Sequence, residues 1–323
     1  MCTAITLTTG SHYFGRNLDL AYHYDERIVI MPRNFPLPFR RMPAIPSHRA
    51  IIGMATIAGD YPLYYDATNE AGLSIAGLNF PESAAYHPIS DEHDNISPFE
   101  FIPWVLAQCD TVAQARALLA RINLAFIPFS ETIPLSPLHW IIADRESALT
   151  VESMADGLHI HDNLVGVLTN NPSFDYHMIN LANYMALSPL PPRNAFAPTL
   201  SLSPYGHGMG AIGLPGDCSP SSRFVRAAFI RAHSVCGTSE SESVSQFFHI
   251  LSSVRHVRGS VETPDGCAIT VYSSCCNTDD GIYYYTTYEN SRITAVDMHR
   301  ENLDAAALIA YPLLARQDIL LQN

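Results

Sequence analysis

Charge is scarce in this sequence. Asp, Glu, Lys and Arg make up 15% of its 323 residues, against about a quarter in an average globular chain, which excludes disorder as the main state. Basic residues are scarcer still: 18 Lys and Arg against 31 Asp and Glu leave a formal charge of −13. A chain this acidic is a poor binder of nucleic acid or anionic lipid, although a local basic pocket for a small anion stays open. Long hydrophobic runs are missing. Residues 50–59 and 305–315 are the longest, both short of the about 20 residues needed to span a bilayer, and Pro312 interrupts the second. The N-terminus shows no basic segment followed by an apolar run and a cleavage site, so the expected location is the cytoplasm. The seven cysteines are odd in number, scattered and never spaced as CxxC. They suit a reduced compartment. With no His/Cys cluster at zinc-ligand spacing, neither metal nor cofactor is expected. No internal repeat and no Pro/Gly linker divides the chain, which predicts one domain over residues 1–323.

What is present is apolar. Hydrophobic residues reach 47%, ample for a packed interior. Alternation predicts strands over 3–8 and 13–18, joined at Gly10-Ser11 into a hairpin at the very start of the chain. Further strands are predicted over 27–31, 50–57 and 73–79, with the proline-rich stretch 32–46 as an extended loop. Helical spacing follows over 99–109 and 111–122, the second opened by a Thr111-Val112-Ala113-Gln114 capping box. Strands return over 138–143, 148–153 and 158–161, then helices over 174–186, 222–234 and 239–254, then strands over 268–274, 281–287 and 292–298. About thirteen strands joined mostly by hairpins imply two antiparallel sheets packed face to face with helices outside, an α+β architecture. Residues 188–215, rich in Pro, Gly and Ser, are too long for an ordinary connection and predict an ordered excursion or an assembly arm.

Cys2 is the position with the most chemistry to offer. Once Met1 is removed it carries a thiol and a free α-amine on adjacent atoms. The amine, with an ordinary pKa of about 7.7–8.0, serves as a base near neutrality. The thiol, ordinarily at about 8.5, becomes a nucleophile where a cation lowers that value. A small residue in an N-terminal strand explains Cys2 equally well on position alone. The next segment, Tyr13-Phe14-Gly15-Arg16-Asn17-Leu18-Asp19, lies on the strand that the hairpin folds back toward Cys2. Arg16 is placed to depress the thiol pKa and Asp19 to hold the amine. Residues three apart face opposite sides of a regular strand, so both reach Cys2 only if the strand ends or kinks near Asn17. A surface ion pair is the alternative.

Cys2-Thr3-Ala4 followed by Gly15-Arg16-Asn17-Leu18-Asp19 resembles the choloylglycine hydrolase family of N-terminal-nucleophile (Ntn) hydrolases, which contains bile salt hydrolases and penicillin V acylases. The likeness continues, in order, through Asn69-Glu70-Ala71-Gly72-Leu73, Ala76-Gly77-Leu78-Asn79-Phe80-Pro81, Leu138-His139-Trp140 and Leu168-Thr169-Asn170-Asn171-Pro172. It ends through Gly213-Leu214-Pro215-Gly216-Asp217, Ser222-Arg223-Phe224-Val225-Arg226 and Gly281-Ile282-Tyr283-Tyr284-Tyr285 to Tyr288-Glu289-Asn290. The resemblance implies a four-layer αββα sandwich and hydrolysis of an amide by Cys2. It implies that Arg16 sits beside the thiolate, Asp19 binds the amine, Asn79 donates to the oxyanion, Asn170 orients the amine and the intermediate, and Arg223 completes the cluster. It also implies a homotetramer with residues 188–215 reaching onto a neighbouring subunit. On the residues alone, Asn79 and Asn170 also read as turn-formers and Arg223 as an exposed arginine.

The resemblance favours a conjugated bile salt, split into bile acid and glycine or taurine, because penicillin-preferring relatives often carry Tyr where Asn79 stands. A rigid steroid needs apolar walls, and the segments 20–24, 58–65 and 126–138 are predicted to supply them. Penicillin V acylase, N-acyl homoserine lactone acylase and an inactive ligand-binding relative are the alternatives. The fourteen histidines are expected in the core or on the surface, away from the chemistry.

Overall fold

The computed structural model describes residues 1–323. The first hairpin forms as the alternation requires: Cys2–Thr8 and His12–Leu20 pair antiparallel, with Cys2 opposite Leu18 and Ala4 opposite Arg16. This hairpin is not at an edge. The six-stranded sheet runs in the order Val167–Leu168, Cys2–Thr8, His12–Leu20, Ile269–Asn277, Ile282–Thr287, Thr294–Asp297. The second sheet has eight strands, in the order Gly157–Asp162, Ala148–Met154, Leu138–Ala143, Ser74–Asn79, Tyr61–Asn69, Ile51–Ala58, Arg27–Met31, Ile309–Pro312. Neighbours in both are antiparallel.

The layers follow from where apolar side chains point. Ile28 and Ile30 enter a core between the sheets, shared with Cys2, Ala4, Tyr272 and Ile141. Val29 and Met31, one residue out of phase, enter a second core with Phe101, Trp104 and Trp140. A strand buried on both faces reads as a continuous apolar run, as Arg27–Met31 does. Two helices, Phe101–Gln108 (α1) and Val112–Leu119 (α2), close the second core from outside. After Phe174–Leu181 (α3), the helices Pro220–His233 (α4) and Glu240–Ser252 (α5) cover the outer face of the six-stranded sheet through Phe224, Phe247 and Phe248. The result is the expected αββα sandwich. Thr111 and Ser239 cap α2 and α5, accepting from Gln114 N and Glu242 N.

One expectation needs correction. Residues 58–65 are not a loop: Tyr61–Asn69 is a strand, hairpin-paired with Ile51–Ala58, with Tyr61 and Tyr64 pointing into the second core and Tyr65 packed against the core between the sheets. Residues 188–215 form an excursion closed at its base by Ser188 N–H donating to Gly210 O at 3.0 Å. Leu190, Phe196, Leu200, Leu202 and Tyr205 stand exposed along it.

Candidate active site

Cys2 opens a strand that runs between two others, and it is 2% exposed. The neighbouring strand neither ends nor kinks at Asn17; it continues to Leu20. Arg16 lies on the face of Cys2 because its partner Ala4 is two residues along, which makes it the diagonal neighbour of the thiol. Asp19 faces the other way. It meets the chain start instead through its backbone, with Asp19 N–H donating to Met1 O at 2.8 Å and the Met1 ammonium donating to Asp19 O at 2.6 Å.

Arg16 is fully buried. Its Nη1 donates to Tyr65 O and Gly77 O on the facing sheet, while Nη2 has no partner. Burial opposes its charge, but Cys2, Tyr272, Asp66 and Asp19 around it outweigh burial and raise its pKa. Arg223, equally buried on α4, moves the other way: burial lowers its pKa, and Asp19 and Cys2 offset that only in part. The contrast follows from their neighbours: Arg16 has Asp66 and Tyr272 beside it as well, whereas Arg223 has Arg226. Arg223 donates to the carbonyls of Cys2 and Cys218, to Thr3 Oγ1 at 2.7 Å and to Asn170 Oδ1 at 2.7 Å, none of them charged.

Asn170 ties the cluster together. It follows the short edge strand Val167–Leu168 and precedes α3. Its Oδ1 accepts from Cys2 N at 2.8 Å as well as from Arg223, and its Nδ2 donates to Asn79 O at 2.7 Å. Asn79, at the end of its strand, enters through its carbonyl, so its side-chain amide is not needed to hold the network. Cys2, Asn79, Asn170 and Arg223 are therefore joined directly, and Arg16 is added electrostatically. The Asp19 carboxylate is the outlier. The single hydrogen of the Cys2 amide goes to Asn170, while Asp19 Oδ1 accepts from Thr270 Oγ1 at 2.6 Å and Oδ2, unpartnered, lies 3.9 Å from His256 Nε2.

The other buried thiols are poor nucleophiles. Burial pushes Cys109 up to about 11 and Cys276 up to about 12, and lifts Cys275 well above the thiol range. Cys2 alone combines a thiol with a neighbouring arginine, a side-chain amide and the chain's start.

That arrangement has relatives. Residues 2–311 match the family model of linear amide C–N hydrolases, choloylglycine hydrolase family. The chain belongs to the choloylglycine hydrolase family. It is a hydrolase acting on linear amide bonds. It is 51% identical to a bile salt hydrolase/transferase of Lactiplantibacillus plantarum over 97% of each chain. A crystal structure of the C2A variant of the conjugated bile acid hydrolase from Clostridium perfringens superposes with a TM-score of 0.93 at 39% identity, covering both chains fully. The penicillin V acylase from Agrobacterium tumefaciens shares the fold, with a TM-score of 0.74 at 20% identity over 96% of this chain and 90% of that one.

Several residues near the site went unpredicted. His139 and His177 bond the carbonyls of Thr169 and Asn170, His256 faces Asp19, and Asp66 accepts from Tyr272, Ser274 and Tyr283 close to Arg16. A lone histidine or aspartate in a strand carries no periodic signal. Only His139, inside Leu138-His139-Trp140, lay within a segment already singled out.

Proposed function

We propose that the chain hydrolyses conjugated bile salts to free bile acid and glycine or taurine, with Cys2 as nucleophile and base. The reading rests on Asn170 Oδ1, which accepts from Cys2 N and Arg223 at once and so ties the terminal nitrogen to the polar cluster. Cleavage of the Met1–Cys2 bond frees the amine. The amine takes the thiol proton, with Asn170 orienting it and Asp19 Oδ2 offering a second acceptor. The thiolate attacks the amide carbon on the face where Arg16 stands. The oxyanion that forms accepts from the Asn79 side-chain amide. The amine then protonates the departing glycine or taurine nitrogen, leaving a Cys2 thioester that water cleaves.

The steroid over the penicillin side chain is favoured by the relatives' names and by Asn79. We assign walls to the segments 20–24 and 126–138, where Tyr22, Tyr24 and Phe126 are exposed. A second reading follows from the 51%-identical relative being named a transferase as well: an amine in place of water would take the acyl group from the thioester. We also propose a single domain, a homotetramer built with the arm at 188–215, and a cytoplasmic location, which suits seven free cysteines.

The deciding experiment is product analysis after parallel incubation with glycocholate, taurocholate and penicillin V. Free cholate from the first two, abolished by Cys2→Ala, is the expected result. Turnover confined to penicillin V would reject the substrate, and full activity with Met1 still attached would reject the single-residue nucleophile and base.

A further inference from the structure

His139 and Glu152 take no part in the chemistry above, yet they sit directly behind it. They project from the adjacent strands Leu138–Ala143 and Ala148–Met154, one step past the pair Trp140 and Val151. Both side chains are fully buried. His139 Nδ1 meets Glu152 Oε1 at 3.0 Å, and His139 Nε2 meets Thr169 O at 3.0 Å. The two Glu152 oxygens accept Phe174 N–H at 3.0 and 3.2 Å. Thr169 and Phe174 are the two ends of the loop that carries Asn170. A third contact holds its middle: His177 Nε2 lies 2.8 Å from Asn170 O. A carbonyl can only accept, so both histidines carry a proton on Nε2, and the contact between His139 Nδ1 and Glu152 Oε1 is bridged by a second hydrogen held by that pair. The rings lie flat on phenylalanines that follow site residues. His139 stacks on Phe80, after Asn79, at 4.2 Å, and His177 on Phe224, after Arg223, at 4.6 Å.

We propose that His139 and Glu152 are a positioning pair that clamps the loop 169–174 and thereby fixes Asn170 against Cys2 and Arg223. The proposal rests on the reading of Asn170 as a catalytic residue. Asn170 sits on irregular backbone between a two-residue strand and a helix, so no ladder holds it. The clamp supplies what the ladder does not. It bonds the loop's outermost carbonyl and amide through one rigid, water-free unit whose two members lock each other. His161, 3.8 Å from Glu152 Oε2 and 3.2 Å from Asp175, lies at its outer end.

The test is steady-state kinetics on glycocholate with folding checked by urea denaturation. Glu152→Ala frees Phe174 N and His139 Nδ1. It should lower kcat by about 10- to 100-fold, the scale of a slight misplacement at a reacting centre, with KM within about threefold. Glu152→Gln can donate to His139 Nδ1 and still accept from Phe174 N, so it should restore kcat to within about threefold of the parent. In an Asn170→Ala background, Glu152→Ala should add no further loss, because the clamp acts through Asn170. If Glu152→Ala does not fold, His139→Phe/Glu152→Met replaces both polar groups by apolar ones, keeps the stack on Phe80, and should show the same fall in kcat. A parental kcat in the folded variants, or losses that add to that of Asn170→Ala, would overturn the clamp alone. An Asn170→Ala variant of full activity would overturn the site reading and the clamp with it.

Discussion

Asn79 has an amide side chain, a strand-end position and a backbone carbonyl that already satisfies Asn170. That division of labour separates structure from chemistry. Asn79→Ala keeps the carbonyl, so the network around Cys2 should survive, while the donor to the oxyanion is lost. The expected outcome is a fall in kcat on the order of 10²–10³ with little change in KM, read by steady-state kinetics on glycocholate. Asn79→Tyr should in addition lower the ratio of bile-salt to penicillin V turnover; an unchanged ratio would place the preference in the segments 20–24 and 126–138. Thiol alkylation should inactivate with protection by substrate, because the buried Cys109, Cys275 and Cys276 are held protonated. Mass spectrometry of the labelled chain should show substrate protecting Cys2, while the part-exposed Cys218, Cys236 and Cys267 take label with or without substrate. The residue scale is also where the sequence was least legible. Asn170 lies 168 positions from Cys2, and no spacing rule links them; only the family resemblance brought them together. Its supports, His139, Glu152 and His177, carried no signal of their own, since a buried hydrogen-bonded histidine and an exposed one read alike in sequence.

Among the elements, the opening hairpin is the one on which the site depends. Gly15 is its tightest point. A Cβ there would lie 2.1 Å from Ser274 O in the neighbouring strand. Gly15→Ala should therefore cost at least about 2–3 kcal/mol in urea denaturation, as overpacking of a close backbone approach does. The turn end of the hairpin is sensitive to acid. His12, 2% exposed, bonds Thr8 Oγ1 through Nδ1 at 2.9 Å while its Nε2 has no partner. Burial, against the pull of Asp279 and Asp144, lowers its pKa from 6.5 to about 4. Between those values the unfolded chain binds a proton that the folded one refuses. Stability is therefore complete above pH 6.5 and falls as pH drops toward 4, by up to about 3 kcal/mol from this group. His12→Gln should lose correspondingly less between pH 7 and pH 4.5, measured as the shift in urea midpoint. Elements were legible where burial made a simple pattern. Arg27–Met31 and Leu138–Ala143 were read to the residue because largely apolar runs, Ile28–Met31 and Trp140–Ala143, mark strands covered on both faces. Tyr61–Asn69 escaped because Pro62, Asp66 and Asn69 break the pattern and its tyrosines suited a cleft as well as a core.

For the whole molecule, the proposed assembly rests on residues 188–215. The apolar residues there are exposed: Phe196 at 84% and Tyr205 at 90%. Such a surface is costly in an isolated chain. Light scattering should give a tetramer for the intact chain and a smaller species once residues 190–208 are replaced by a short Gly/Ser linker. A monomer at micromolar concentration would reject the arm's role. The layered architecture was legible from the order of strands and helices; the course of residues 188–215 was not, because a segment rich in Pro, Gly and Ser has no period to read.

The position of the first strand also bears on when the molecule can mature. Cys2–Thr8 lies between His12–Leu20 and Val167–Leu168, and the far side of His12–Leu20 is covered by Ile269–Asn277, a strand distant in sequence. The sheet around the chain start is therefore complete only once strands from both halves of the sequence have met. Once the sheet closes, the Met1 ammonium is tied to Asp19 O and its carbonyl to Asp19 N. An aminopeptidase needs that end extended and free, so trimming has to occur before closure. A chain that folds with Met1 in place should resist later trimming and stay inactive, and so should one carrying an uncleaved tag ahead of Cys2. Unfolding it in urea with aminopeptidase added on dilution should restore the mass of the Cys2 terminus and the activity together.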